Sequence, residues 1–108
     1  MTVKELAVKY SFEELSLPEP DKEAQGGYVG DLLSWVMGRA EASNVWLTIM
    51  TNMNIAAVAP LSDVAAVIIC EGARPDDSVI ATAREKGVNI LLTQDAAFNT
   101  AVKISADI

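Results

Sequence analysis

Histidine is absent from this chain of 108 residues, and cysteine occurs once, as Cys70. Without histidine there is no Ser-His-Asp or Cys-His arrangement, no imidazole base and no His-containing metal site. A single cysteine excludes an internal disulfide and a cysteine-cluster zinc site. Basic residues are few, 8 against 15 acids, and the net charge of −7 argues against nucleic acid or an anionic membrane as the main partner. No apolar run approaches the ~18–20 residues that span a bilayer. The opening MTVKELAVKYSFEEL is charged where a signal peptide has an apolar core, so a cytoplasmic location is expected. Only carboxylates, one thiol and lysines remain for chemistry. That balance favours a binding or interaction role over catalysis, with no cofactor and no metal expected.

What is present is ordinary globular material, 51% hydrophobic and 21% charged. A chain of this length buries roughly 65% of its unfolded surface, enough for one core. Residues 2–9 carry Val3, Leu6 and Ala7 at helical spacing, with Lys4 and Lys9 outside. Tyr10–Leu17 reads as an edge strand. The stretch 18–27, PEPDKEAQGG, has loop chemistry and exceeds the usual connection of about 4–6 residues. Tyr28–Leu33 reads as a short strand, 34–40 as a turn or short helix, and Val45–Met50 as a strand. A short helix over Met53–Ala59 should end or kink at Pro60. Val64–Cys70 is a continuous apolar run, as in a strand covered on both faces.

Asp76 and Asp77 open a helix with Pro75 at its start, Arg84 and Lys86 in its last turn and Gly87 just beyond it. Val79, Ile80 and Ala83 form its inner stripe. Asn89–Thr93 is another strand, and 96–106 a terminal helix expected to turn Phe98, Ala101 and Val102 inward. Thirteen residues separate Met50 from Val64, and eighteen separate Cys70 from Asn89. Both gaps are crossover length and both hold helical signals, so 45–50, 64–70 and 89–93 should run parallel. The fold class is α/β: a single small domain, a mostly parallel sheet with helical crossovers.

Ligands of such sheets gather at the carboxyl ends of the strands. Those ends carry Thr51-Asn52-Met53-Asn54, Glu71-Gly72-Ala73-Arg74 and Thr93-Gln94-Asp95, each before a helix N-terminus that favours an anion. The same residue types are also ordinary helix caps. For a small anion the candidate ligand-binding set is Gly26, Gly27, Thr51, Asn54 and Thr93, the glycines giving close backbone approach and the others hydrogen bonds. Gly26-Gly27 lacks the spacing of a dinucleotide fingerprint and the Lys-Ser/Thr of a Walker loop. Cys70, ending a buried strand, reads as a small hydrophobe. Glu13, Glu14, Glu19, Asp21 and Glu23 lack a calcium-loop spacing and read as a solvated face. Trp35, Met37, Trp46, Met50 and Met53 are core material or the centre of a homodimer interface, which an open sheet edge would invite. An acid pair such as Asp31 with Asp63 or Asp95 has no spacing that brings it together.

The segments GGYVGDLLSWVMGRA, VWLTIMTNMNIAAVA, VAAVIICEGARPDDSVIATAREKGVNILLT and AAFNTAVKI resemble the DRTGG domain family over roughly residues 20–104. At the position of the family's pentapeptide this chain reads EAQGG: Gly26 and Gly27 match, while Glu23, Ala24 and Gln25 depart. Such domains form the N-terminal part of proteins resembling HPr kinase/phosphorylase, and inserts in CBS-containing pyrophosphatases. There they are accessory modules associated with dimerisation or regulation. The resemblance thus implies a non-catalytic regulatory or ligand-sensing domain over 1–108, a homodimer, taking a phosphorylated metabolite or nucleotide. The alternative is a module that docks a partner enzyme without any small ligand.

Overall fold

The structure, a computed structural model, describes all of residues 1–108. Helix α1 (Val3–Lys9) starts at Thr2, whose side chain accepts from Glu5 N–H while the Glu5 carboxylate accepts from Thr2 N–H. This reciprocal cap satisfies two first-turn donors and fixes the helix start. Strand β1 (Glu13–Ser16) follows, and after a long loop come β2 (Gly27–Val29), α2 (Leu33–Arg39) and β3 (Val45–Thr48). Helix α3 (Asn54–Leu61), β4 (Ala66–Ile69), α4 (Asp77–Glu85), β5 (Ile90–Leu92) and α5 (Ala97–Ile104) complete the chain. Pro60 sits in the last turn of α3, which ends one residue later. Gly87 takes a positive φ of 73° beyond α4, the backbone conformation glycine adopts most cheaply.

The sheet order is β1-β5-β4-β3-β2. Strands β2 to β5 are parallel, as the crossover lengths require, and β1 is antiparallel to β5. Because β2 to β5 follow one another across the sheet, the three crossovers step the same way and share a face. Val36 of α2, Ile55 and Ala59 of α3, and Val79 and Ala83 of α4 pack there on Trp46, Val67, Ile69 and Ile90. On the other face Val3 and Leu6 of α1 and Ile104 of α5 meet Val45, Leu47, Ile68 and Leu91. Alternate residues of β3 and β4 thus feed two cores, and both strands are buried throughout. The Trp46 indole N–H is satisfied by Gly30 O at 2.8 Å.

The terminal helix departs from its expected orientation. Thr100 and Ile104 are its buried residues, whereas Phe98 and Val102 are 77% and 59% exposed. An apolar stripe at helical spacing shows that the helix has an apolar face; it does not say which neighbour covers that face.

The long loop has to carry the chain from β1 at one edge to β2 at the other, four strand spacings or roughly 19 Å. It passes beneath the amino ends of the strands, and two buried asparagines hold it there. Asn89 Nδ2 donates to Glu19 O (2.7 Å) and Ala65 O (3.0 Å), and its Oδ1 accepts from Glu19 N–H (3.0 Å). Asn44 Nδ2 donates to Gln25 O and its Oδ1 accepts from Glu41 N–H, both at 2.9 Å. Helix α1 joins from outside through Val3 N–H to Lys22 O and Lys4 N–H to Pro20 O.

The far end of the chain is tied to α1 as well. Lys9 Nζ lies 2.7 Å from Asp107 Oδ2, and the Tyr10 hydroxyl donates to the same oxygen. These bonds, Lys9 first, hold the Asp107 carboxyl below its ordinary range, and the bond to Asp107 raises Lys9 and Tyr10.

Two outcomes follow from these ties. Asn89→Ala leaves the Glu19 N–H and the Glu19 and Ala65 carbonyls without their partner, and should lower stability by about 2–3 kcal/mol. Urea unfolding checks it, as a lower midpoint at unchanged slope. Asp107→Asn should lower the melting temperature at neutral pH. A folded-state pKa held below the unfolded one gives stabilisation that is complete above the ordinary aspartate range and lost as pH falls through the folded value. The melting difference between wild type and variant should therefore close in acid.

Candidate functional site

At the carboxyl ends of the strands, short loops lead into helices and are laced to one another. Asp31, following β2, accepts from the Thr48 hydroxyl (2.7 Å) and from Ile49 N–H (3.0 Å). Cys70 N–H donates to Thr48 O, Glu71 N–H to Asp95 O and Gly72 N–H to Thr93 O, each at 2.9 Å. Glu71 and Gly72 both have positive φ, and a Cβ at residue 72 would lie 2.3 Å from the Gln94 side chain. Only glycine lets Gln94 lie across that loop.

Capping explains less of this edge than the residue types suggest. Asn52 closes the start of α3, its Oδ1 accepting from Asn54 N–H (2.9 Å) and its carbonyl from Ile55 N–H (3.2 Å). Helices α4 and α5 begin at Asp76 and Ala96 with no side chain bonded to their first-turn N–H groups. The two starts differ: at α4 Val79 N–H is bonded to Asp76 O and the Asp77 carboxylate already sits in the first turn, whereas the first turn of α5 holds no acid and its positive end favours an anion. Thr93 stands just ahead of α5, its hydroxyl accepting from Asp95 N–H at 3.2 Å.

The five candidate residues do not converge. Thr51 and Asn54 follow β3, Thr93 follows β5, and β4 lies between them, a separation of roughly 10 Å. All three lie at the carboxyl edge. Gly26 and Gly27 begin β2, with Gly27 opposite Val45, the first residue of β3, and so belong to the amino edge. The four residues of β3 alone put roughly 13 Å between the level of Gly27 and the loop that holds Thr51. Arg74 is taken up by a carboxylate at the same edge: its Nη2 donates to both Glu13 oxygens at 2.7 and 2.6 Å, and Glu13 stands opposite Leu92, the last residue of β5.

The acid pairs are not brought together either, since Asp31 is held by Thr48, Asp63 by Lys22 (3.5 Å) and Asp95 by Lys103. No three of the Cys, Asp and Glu side chains form a metal-binding group. Cys70 is fully buried, and burial pushes its thiol pKa up, away from the reactive thiolate. The Trp/Met group divides: Trp46 is core and Met50 packs against it, while Trp35, Met37 and Met53 are exposed. The Arg39 guanidinium lies 3.8 Å over the Trp35 ring.

A feature that the sequence reading missed lies beside Gly26 and Gly27. Between β2 and α5 runs an apolar groove of about 280 Å³, lined by Gly27, Val29, Leu47, Ala101, Ile104 and Ile108, with Gly26 and Ser105 at its rim. It exists because α1 and α5 cover β3 to β5 and reach the same face of β2 only in part, where Ile108 Cδ1 lies 3.6 Å from the position a Cβ on Gly27 would take. The signal was present in the alternation Gly27-Tyr28-Val29, which gives one face a gap and a valine. A second, smaller hollow of about 120 Å³ lies between the C-terminal ends of α3 and α4, with Lys22, Lys86 and Asp63 around it.

No curated protein matches this chain. Among solved structures it is similar to the CBS and DRTGG domains of the regulatory region of Clostridium perfringens pyrophosphatase, complexed there with the activator diadenosine tetraphosphate. The TM-score is 0.72 at 15% identity, covering 94% of this chain and 44% of that one, so the chain spans under half of that neighbour's length. The likeness is one of fold. The family model of the DRTGG domain matches residues 38–106, starting past the EAQGG loop. With more than half of its length matched, from the end of α2 through α5, the chain belongs to the DRTGG domain family.

Proposed function

We propose that this chain is a non-catalytic regulatory module over residues 1–108, cytoplasmic and homodimeric, that senses a phosphorylated metabolite or nucleotide at the carboxyl edge of its sheet. The observation that carries this reading is the start of α5, whose first turn holds no acid and whose N–H groups no side chain caps. Thr93 stands beside that start, and Thr51 and Asn54 flank the same edge across β4. Dipole and free donors together suit a phosphate. Family membership supports the regulatory role, as does the pyrophosphatase neighbour, a regulatory region holding a nucleotide activator. Gly26 and Gly27, at the opposite edge, fit assembly better than this ligand. The disposition of carboxylates and thiol supports a module that is not itself an enzyme.

Exposure of Trp35, Met37 and Met53 favours a second reading, a surface that docks a partner enzyme with no small ligand involved.

A thermal-shift panel of adenine nucleotides, phosphorylated sugars, acetyl phosphate, coenzyme A and pyridine nucleotides separates the two. Ligand at 100 times its dissociation constant stabilises by about 2.7 kcal/mol. Each kcal/mol is worth ~4–8 °C in a domain of this size. One class should shift the wild type by more than about 5 °C, and Thr51→Ala combined with Thr93→Ala should remove that shift. A flat response across the panel would overturn the ligand reading in favour of partner docking.

A further inference from the structure

The two edges of the sheet are treated differently by the sequence. Strand β1 carries Glu13 and Glu14, each in an ion pair, and its register slips between Glu14 and Ser16. Charge and irregularity of this kind keep other strands from pairing with an edge. Strand β2 has no such guard. It is Gly27-Tyr28-Val29, without charge, proline or irregularity, and its pairing with β3 is regular. Val45 N–H donates to Gly26 O (3.0 Å) and Gly30 N–H to Leu47 O (3.1 Å), so the alternate residues Gly27 and Val29 turn their N–H and C=O groups outward.

We propose that β2 pairs antiparallel with β2 of a second copy across a two-fold axis at Tyr28, joining two five-stranded sheets into one, with each copy's Val29 seated at the other's groove. The register is fixed by the outward groups. Gly27 exchanges both backbone hydrogen bonds with the partner's Val29, Val29 does so with the partner's Gly27, and Tyr28 faces the partner's Tyr28 in the non-bonded position between them. Residues directly opposite share a sheet face, so the partner's Val29 projects on the side of Gly27, which has no side chain of its own and is bordered there by Ile108 Cδ1, 3.6 Å from where a Cβ at residue 27 would stand. That side is the groove. Val29 is 55% exposed, so knob and hole lie on one surface, as a two-fold interface requires.

Charge selects the occupant. Two copies at −7 each repel wherever their acidic surfaces meet, including any pairing through β1. None of the eight residues lining the groove carries a charged side chain. A standard interface takes ~800 Å² from each partner, about a seventh of this chain's 5343 Å² and the scale of one flank of a molecule 30 × 26 × 25 Å across. The proposal deepens the homodimer of the proposed function and is independent of its ligand.

Sedimentation equilibrium on the full chain tests it, with two variants. Wild type should be a dimer at micromolar concentration. Val29→Lys, a change at an exposed position, should weaken association by roughly a hundredfold, since it sets an unpaired ammonium against the partner's groove. Tyr28→Cys should form a disulfide-linked dimer on mild oxidation, because Cα atoms facing in a non-bonded antiparallel pair are ~4.5 Å apart, within disulfide reach. Cys70 is buried and stays out of that reaction. A monomeric wild type, or a dimer indifferent to Val29→Lys, would overturn the interface. A Val29→Lys-sensitive dimer without the Tyr28→Cys cross-link would overturn the register. A flat metabolite panel bears on the ligand alone.

Discussion

The crossing beneath the sheet is the constraint on which the rest of this fold depends. Strand β1 sits at one edge and β2 at the other, and the chain between them must run across the ends of β5, β4 and β3. A loop in that position covers the strand ends and would strand its own backbone groups if nothing received them. The side chains of Asn89 and Asn44, residues that directly precede β5 and β3, receive them. An amide suits the task because it offers donors and an acceptor at one point, so Asn89 holds both polar groups of Glu19 and also reaches Ala65. Once the loop is held, α1 has a surface to lie on, and Glu23 is placed where Thr2 bridges to it.

The same geometry decides which surfaces are finished. Helices α2, α3 and α4 are the crossovers themselves, so their face is covered by necessity. The opposite face depends on two helices that are not crossovers, one from each end of the chain, joined by Asp107, Lys9 and Tyr10. Two helices cannot cover five strands. They cover β3, β4 and β5 and leave β2 only partly covered, by Ile108 beside Gly27, and the groove is this shortfall.

Most of the architecture was legible because it follows from spacing. Parallel pairing of β3, β4 and β5 came from the lengths 51–63 and 71–88, and the end of α4 from Gly87. The orientation of α5 was not legible. Phe98 and Val102 mark an apolar stripe, but a stripe turns to solvent when the sheet beneath is already filled by Ile104 and Thr100. The roles of Asn44 and Asn89 were equally hidden, since an asparagine before a strand looks like any turn residue until its distant partners are known. For the candidate site, Thr51, Asn54 and Thr93 were correctly assigned to one edge by the parallel-sheet rule. Gly26 and Gly27 were joined to them on residue type alone, and type carries no information about which end of a strand a turn occupies.

Helix α5 connects the two ends of this picture. It starts four residues after Thr93, at the carboxyl edge, and its later residues Ala101 and Ile104 wall the groove beside β2. A ligand at the first end alters pairing at the second only through a difference in its affinity for the single and the paired chain. An eight-residue helix is too short and too well packed at Thr100 and Ile104 to bend between its ends. It is also tied at both ends, by Lys103 to Asp95 ahead of its first turn and by Asp107 to Lys9 and Tyr10 just beyond its last. Neither end is free to move against the sheet alone. An event at one end is therefore felt at the other only as a shift of the whole tied helix, against the packing of Thr100 and Ile104.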